Sequence, residues 1–93
     1  MIETFGDSET EKIYSGKRSR KLPDDIQIRA RRKLRMINQA GNLQDLRIPP
    51  ANRLEQLKGD WKGFWCIRVN QHWRIVFKWN DGHASEVSII DYH

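Results

Sequence analysis

The sequence has few of the features that are typical of secreted proteins or of membrane proteins. Its 93 residues include one cysteine, Cys66, and three prolines. A single thiol cannot form an internal disulfide, and no apolar stretch approaches the roughly 20 residues that cross a bilayer. Residues 1–5 alternate in polarity and include an early acid, which is not a secretory signal pattern. We therefore expect a cytoplasmic protein with no membrane association.

Several motifs of common enzyme classes are also missing. There is no glycine-rich phosphate loop, no G-x-S-x-G segment and no paired-carboxylate pattern. The three histidines are scattered, and Cys66 lies within an apolar strand pattern without a partner thiol. These absences argue against nucleotide-hydrolysing enzymes and serine hydrolases. We expect no metal site and no cofactor.

Length and composition indicate one small folded unit. Apolar residues make up 38% of the chain and charged residues 31%, which is typical of globular rather than disordered proteins. Chains divide into several domains only at much greater length. We therefore treat residues 1–93 as a single domain.

Positive charge is concentrated in one segment. Lys and Arg outnumber Asp and Glu by 17 to 12, for a net charge of +5. Residues 17–35 alone carry +7, and the other 74 residues carry −2. The excess indicates a polyanion or a protein partner, with nucleic acid as the first candidate. The basic residues of this segment are Lys17, Arg18, Arg20, Lys21, Arg29, Arg31, Arg32, Lys33 and Arg35.

The first half of the chain predicts a short strand and two helices. Residues 2–5 read as a strand. The S-x-x-E spacing from Ser8 to Glu11 predicts a capping box that opens a helix, which Gly16 ends. A second helix is predicted between Pro23 and Gly41, because apolar residues recur there at helical spacing. That apolar stripe consists of Ile26, Ala30, Leu34 and Ile37.

Alternation with a period of two dominates the second half. An irregular connector over residues 42–53 and a short strand around Leu54 and Leu57 lead to two strands beginning at Trp65 and Trp73. A further turn at residues 80–82 precedes a last strand over residues 86–90. The order predicts an α+β domain, with an N-terminal strand and two helices packed on an antiparallel sheet of about four to five strands.

One face of the predicted hairpin is apolar and the other is basic. Trp65, Trp73 and Trp79 fall on the apolar face with the core. Alternation places Arg68, Asn70, Arg74 and Lys78 together on the opposite face. Cations facing one another across a strand pair repel, so we expect this face to bind an anion such as a phosphate backbone.

Several segments resemble one toxin family. Leu54-Glu55-Gln56-Leu57-Lys58-Gly59-Asp60, the R-V-N-x-x-W-R-I-x-F pattern that begins at Arg68, and the final Asp91-Tyr92-His93 are together similar to the HigB-type toxins of the RelE/ParE superfamily. The resemblance covers the whole chain. It implies a compact microbial-RNase-like (RelE-like) fold and a single toxin domain over residues 1–93.

The resemblance also implies an activity, partners and roles for individual residues. Such toxins belong to type II toxin-antitoxin systems, cut messenger RNA in the ribosomal A site and are neutralised by a HigA-like antitoxin with a helix-turn-helix. Arg74 would stabilise the scissile phosphate, Lys58 and Arg68 would support it, and Asn70 would shape the pocket. Asp91, Tyr92 and His93 would form a catalytic cluster, and the segment from Lys17 to Arg35 would dock on ribosomal RNA.

The general base and the function class both have alternatives. Some relatives carry a histidine where this sequence has Glu55, so either Glu55 or His93 could take the proton from the attacking 2′-OH. Two other functions fit the basic surface. One is a non-catalytic nucleic-acid-binding module, and the other is a ParE-like gyrase inhibitor on the same scaffold.

Overall fold

The computed structural model describes residues 1–92, which form two helices and one sheet. The helices are α1 (Ser8–Tyr14) and α2 (Asp24–Gln39). The strands are β1 (Glu55–Gln56), β2 (Trp65–Arg68), β3 (Trp73–Asn80) and β4 (His83–Asp91). Sheet order is β1-β2-β3-β4, with every neighbouring pair antiparallel. The α+β class and a four-stranded sheet are confirmed.

Helix α1 is capped by Asp7, so the predicted capping box is wrong. The Asp7 carboxylate accepts hydrogen bonds from the Thr10 backbone N–H (2.7 Å) and the Thr10 hydroxyl (3.0 Å). Thr10 Oγ1 in turn accepts from the backbone N–H of Ile89 at 2.9 Å. The cap therefore also attaches α1 to β4. The helix ends at Tyr14, and Gly16 follows in the left-handed region at φ 86°, as predicted.

The N-terminal strand is not formed as a strand. Ile2 and Phe5 make isolated parallel bridges to Ala84 and Val87 of β4. Backbone bonds such as Glu3 N–H to the Ala84 carbonyl (2.7 Å) hold the segment there. The N-terminal residues thus cover part of the otherwise open edge of β4.

Helix α2 packs on one face of the sheet through its predicted stripe. Ile26, Ala30, Leu34 and Ile37 are all buried and belong to a core cluster with residues from β2, β3 and β4. Trp65, Trp73 and Trp79 pack against the same cluster, as their alternation predicted. In the described part of the chain, neither helix is long and apolar enough to cross a membrane.

The connector and the last strand differ in detail from prediction. Residues 42–53 contain two short 3-10 helices, Leu43–Arg47 and Pro50–Asn52. Strand β4 begins at His83 rather than residue 86, because His83, Ala84 and Ser85 pair with the end of β3. The register then shifts between Val76 and Lys78 of β3, which marks a bulge in β4 where Glu86 adopts a φ of 52°. The bulge allows the longer strand to remain paired.

Candidate active site and adjoining basic cleft

Two arginines face each other at the end of the β2–β3 ladder that lies next to the connecting turn, on the helix-free sheet face. The β2–β3 register pairs Arg68 with Arg74 directly, as the alternation predicted. Paired Cα atoms in antiparallel sheets are about 4.5–5.5 Å apart, so both guanidinium groups project from one small area of the sheet. Their mutual repulsion favours binding of an anion between them.

Arg74 is nearly buried and is held by three different groups. It is 9% exposed. Its Nη1 lies 3.8 Å from Glu55 Oε1 and donates a hydrogen bond to Cys66 Sγ at 3.6 Å. Its guanidinium carbon lies 4.9 Å from the centre of the Tyr92 ring. The buried Nε of Arg74 has no hydrogen-bond partner in the described structure, so the group retains capacity to bind an oxyanion.

Cys66 belongs to a second, smaller apolar cluster beneath Arg74. Leu57, Cys66 and Val76 are buried there, and partly buried aromatic and aliphatic side chains surround them. Burial raises the pKa of the Cys66 thiol, and the Arg74 guanidinium opposes that effect only in part. The thiol therefore stays protonated near neutral pH. It serves as a neutral acceptor for Arg74 rather than as a nucleophile.

The structure brings Tyr92 to the Arg74 guanidinium, and the strand register places Asp91 on the opposite face of the sheet. Asp91 pairs with Trp73, whose side chain lies on the helix-covered face. Side chains alternate along a strand, so Tyr92 lies on the same face as Arg74. The Tyr92 backbone N–H donates to the His72 carbonyl at 2.8 Å, which fixes this end of the chain beside β3. The predicted role of His93 lies outside the described residues.

Carboxylates from neighbouring strands reach the basic face. The β2–β3 pair contains no acid, but Glu55 of β1 reaches Arg74. Lys78 Nζ lies 2.8 Å from Glu86 Oε2 of β4 and 5.2 Å from the centre of the Phe64 ring. The charge of Lys78 is thereby partly neutralised. The density of free positive charge is greater at the Arg68 end of the face.

Two further predicted substrate-binding residues occupy turns. Asn70 Oδ1 accepts from the backbone N–H groups of His72 (2.8 Å) and Trp73 (2.7 Å), so it closes the β2–β3 turn. Lys58 precedes the 3-10 turn Gly59–Trp61 and is exposed. It lines a shallow cavity of about 250 Å³ beside β1. Trp61 packs edge-on against Phe64 with 5.1 Å between ring centres.

The basic segment divides into surfaces with different neighbours. Arg18 forms an exposed ion pair with Asp24 at 2.8 Å, and Lys17, Arg18 and Arg31 line a groove between the two helices. Arg20, Lys21, Arg32 and Arg35 are exposed. Arg29 and Lys33 instead face the end of β2, where they line a cleft with Arg68 and Arg53. The sequence predicts no role for Arg53, because residues 42–53 carry no motif or periodicity.

Comparison with solved structures finds chains that share this α+β fold. The structure matches a chain from a YoeB-YefM complex of Staphylococcus aureus with a TM-score of 0.61 and 17% identity, covering 100% of this chain and 98% of the other. At that identity, the match supports the fold alone.

Sequence comparison identifies the family. Residues 3–93 match the family model described as "RelE-like toxin of type II toxin-antitoxin system HigB", and the chain belongs to this HigB-like toxin family. It is 44% identical over 85 residues to Toxin HigB-1 of Vibrio cholerae, covering 90% of each protein. It is also 44% identical over 41 residues to Endoribonuclease HigB of Proteus vulgaris, covering 44% of this chain and 45% of that protein. As a type II toxin, the chain has an antitoxin partner.

Proposed function

We propose that this toxin is a ribosome-dependent endoribonuclease that cleaves messenger RNA in the ribosomal A site and so inhibits translation in the cytoplasm. Family membership and similarity to a relative named Endoribonuclease HigB support RNA cleavage. The proposed reaction is attack of the 2′-OH on the adjacent phosphate without a metal ion. It leaves a 2′,3′-cyclic phosphate and a free 5′-hydroxyl.

The observation that carries the proposal is the buried, restrained guanidinium of Arg74. Negative charge grows on the phosphate oxygens during 2′-OH attack, and fixed donors stabilise it best where water is excluded. Arg74 remains protonated and can donate to two phosphate oxygens. Glu55, Cys66 and the Tyr92 ring limit its movement. Arg68 lies opposite, and Lys58 is the third cation assigned to the phosphate.

Proton transfer needs a base and an acid. Glu55 is 51% exposed, so its carboxylate is open to a substrate bound at Arg74. We assign Glu55 as the base that takes the 2′-OH proton. Tyr92 has a phenol beside the same guanidinium and is assigned to protonate or orient the leaving 5′-oxygen. Asp91 and His93 complete the proposed cluster on the basis of the family resemblance.

The proposed partners fit the distribution of exposed charge. The exposed cations of α2 and of the preceding loop would dock on ribosomal RNA, whose phosphates attract Lys and Arg. The ribosome would then hold the messenger RNA in line for attack, which a small open sheet face cannot do alone. We propose a HigA-like antitoxin with a helix-turn-helix as the cognate partner.

The test is cleavage of a translated message in a reconstituted translation system, mapped by primer extension. Wild type should cut within the A-site codon, and Arg74→Met should be slower by about 10²- to 10³-fold, as when an oxyanion-stabilising donor is removed. Methionine retains apolar volume at this buried site, so urea unfolding should show a folded variant.

The matched control is Arg47→Gln, which removes one exposed cation far from Arg74 in the chain. It should cleave like wild type. Equal cleavage by wild type and Arg74→Met would overturn the assigned site. Intact message with salt-sensitive RNA binding would indicate a binding module, and inhibited supercoiling with intact message would indicate a gyrase inhibitor.

A further inference from the structure

A cleft adjoining the Arg74 centre opens between α2, the turn after Pro50–Asn52 and the end of β2. Its volume is about 400 Å³, within the range of small-ligand sites. Four cations line it, and none of its lining residues among residues 1–92 is acidic. The lining consists of Arg29, Lys33, Ala51, Arg53, Arg68, Val69 and Asn70.

Hydrogen bonds hold the cations of α2 in place before any ligand arrives. Arg29 Nη1 donates to the Val69 carbonyl at 3.3 Å, which ties the helix to the end of β2. Lys33 Nζ donates to the side-chain oxygen of Asn52. Partial burial and the charge of Arg29 lower the pKa of Lys33. An anion in the cleft would relieve this crowding of positive charge.

The buried amide of Asn52 connects Lys33 to the turn that presents Arg53. Asn52 is fully buried, and its Nδ2 donates to the Leu46 carbonyl at 3.1 Å. Arg53 follows at φ 46°, a left-handed conformation that is unusual for a residue other than glycine. Such strain persists only where the surrounding structure fixes it, and it is often found at binding sites.

Arg68 links this cleft to the Arg74 centre. It lines the cleft and is paired with Arg74 across the β2–β3 hairpin. Its buried Nε has no hydrogen-bond partner within residues 1–92. Arg74 and Lys78 have Glu55 and Glu86 as ion-pair partners, whereas no carboxylate lines the cleft. An extended polyanion could therefore contact Arg74 and continue past Arg68 into the cleft.

We propose that the cleft binds the phosphodiester group of a nucleotide flanking the cleavage position, so that the toxin itself holds more than one phosphate of its RNA. The inference rests on the proposed function, because the flanking nucleotide is defined by cleavage at Arg74. It assigns Arg29 and Lys33 to the substrate strand instead of the ribosome. It also adds Arg53, for which the sequence predicted no role.

The test measures binding of fluorescein-labelled 2′-O-methyl oligonucleotides to the full-length toxin by fluorescence anisotropy over a series of salt concentrations. The methyl group blocks the attacking 2′-OH, so the RNA stays intact. A two-nucleotide probe has one phosphodiester group, which can occupy the Arg74 centre, whereas a five-nucleotide probe has further phosphodiester groups that can extend past Arg68 into the cleft. Lys33→Gln/Arg53→Gln should weaken binding of the longer probe about tenfold, as expected when charge-assisted contacts are lost.

The salt dependence of binding and a matched control variant distinguish binding in the cleft from nonspecific attraction of RNA to the positive charge of the protein. Removing two phosphate contacts should reduce the slope of log K against log salt by about 1.4. Lys12→Gln/Arg47→Gln removes the same charge from exposed positions outside the cleft and should change binding less than about twofold. Because Lys33 bonds to Asn52, Arg53→Gln alone tests the cleft without breaking that contact and should show about half the slope change.

The outcomes distinguish this inference from the proposed function. Equal affinity of the wild type for the two probes would overturn the proposed role of the cleft. Equal losses of affinity for the longer probe in the cleft variant and in the control variant would also overturn it. Either result leaves Arg74-dependent cleavage on ribosomes standing. A wild type that never cuts a translated message would overturn the proposed function instead. Loss of antitoxin binding in the cleft variant with unchanged RNA binding would also reject the assignment.

Discussion

The two faces of the β2–β3 hairpin use buried side chains for different purposes. On the helix-covered face, Ile67, Ile75 and Phe77 are fully buried in the main core. On the other face, Cys66 and Val76 are equally buried, but the cluster they form is small and carries Arg74. Residues adjacent in sequence thus alternate between a continuous apolar core and a support for a charged group.

This difference indicates that the helix-covered face contributes mainly to stability and the open face mainly to activity. Burial of apolar area contributes about 25 cal/mol per Å², and the main core contains fifteen of the buried residues whereas the small cluster contains three. A buried charge needs compensation from its partners and is weak evidence for stability. The open face therefore holds a guanidinium where it can bind phosphate, and the covered face supplies the stability that the arrangement requires.

The largest expected effect is a loss of stability, which should differ between two neighbouring residues on opposite faces of β3. Phe77→Ala should lower the free energy of unfolding by about 3–5 kcal/mol, because it leaves a large cavity in the main core. Val76→Ala removes only two methyl groups from the small cluster and should cost about 1.5 kcal/mol. Urea denaturation of both variants measures the difference. Equal losses would show that the two faces contribute alike to stability.

The next largest effect is a loss of cleavage activity that is accompanied by little change in stability. Glu55→Gln should slow cleavage by about 10²- to 10⁴-fold, because the amide cannot accept the 2′-OH proton. Its half-exposed ion pair with Arg74 should contribute no more than about 1 kcal/mol to stability. Rates are measured by primer extension on the translated message.

Glu86→Gln is the matched control for Glu55→Gln. It makes the same chemical change at a carboxylate that pairs with Lys78 instead of Arg74. It should retain the wild-type rate of cleavage. If Glu55→Gln also kept the full rate, Glu55 would be only a strand residue and the base would lie elsewhere.

The smallest effect is a dependence of stability on alkaline pH that originates at Cys66. Burial raises the pKa of the thiol in the folded protein, so the unfolded chain ionises at lower pH than the folded one. The stabilisation is full below the unfolded pKa and decreases as pH rises above about 8.5. Cys66→Val removes the titrating group. Urea midpoints at neutral and alkaline pH should therefore fall less in the variant than in wild type, and identical falls would contradict the assignment.

The local pattern of apolar residues was sufficient to predict those helices and strands whose buried faces follow directly from that pattern. The stripe of α2 predicted its buried face, and alternation predicted the β2–β3 hairpin and which face carries the tryptophans. Predictions that depended on where an element begins were less successful. Asp7 rather than Ser8 caps α1, because the turn geometry decides which of two adjacent capping residues points at the free N–H groups.

In the candidate site, too, some residue positions could be predicted from the sequence and others could not. Arg68 and Arg74 could be placed on one face from alternation alone. The register then brought Glu55 and Tyr92 to Arg74 and placed Asp91 opposite Trp73. The cleft of Arg29, Lys33, Arg53 and Arg68 combines residues far apart in the chain, and no local pattern connects them.

The sequence by itself determined the α+β class, the family resemblance, the apolar and basic faces and the excess of positive charge, because each depends on residue type and short-range spacing. Only the tertiary structure decided which charges meet. Strand register, the bulge at Glu86 and the left-handed turn at Arg53 set those contacts. Each results from many distant residues packing and hydrogen bonding at once, so the basic segment read as one surface in the sequence and is divided among several in the folded protein.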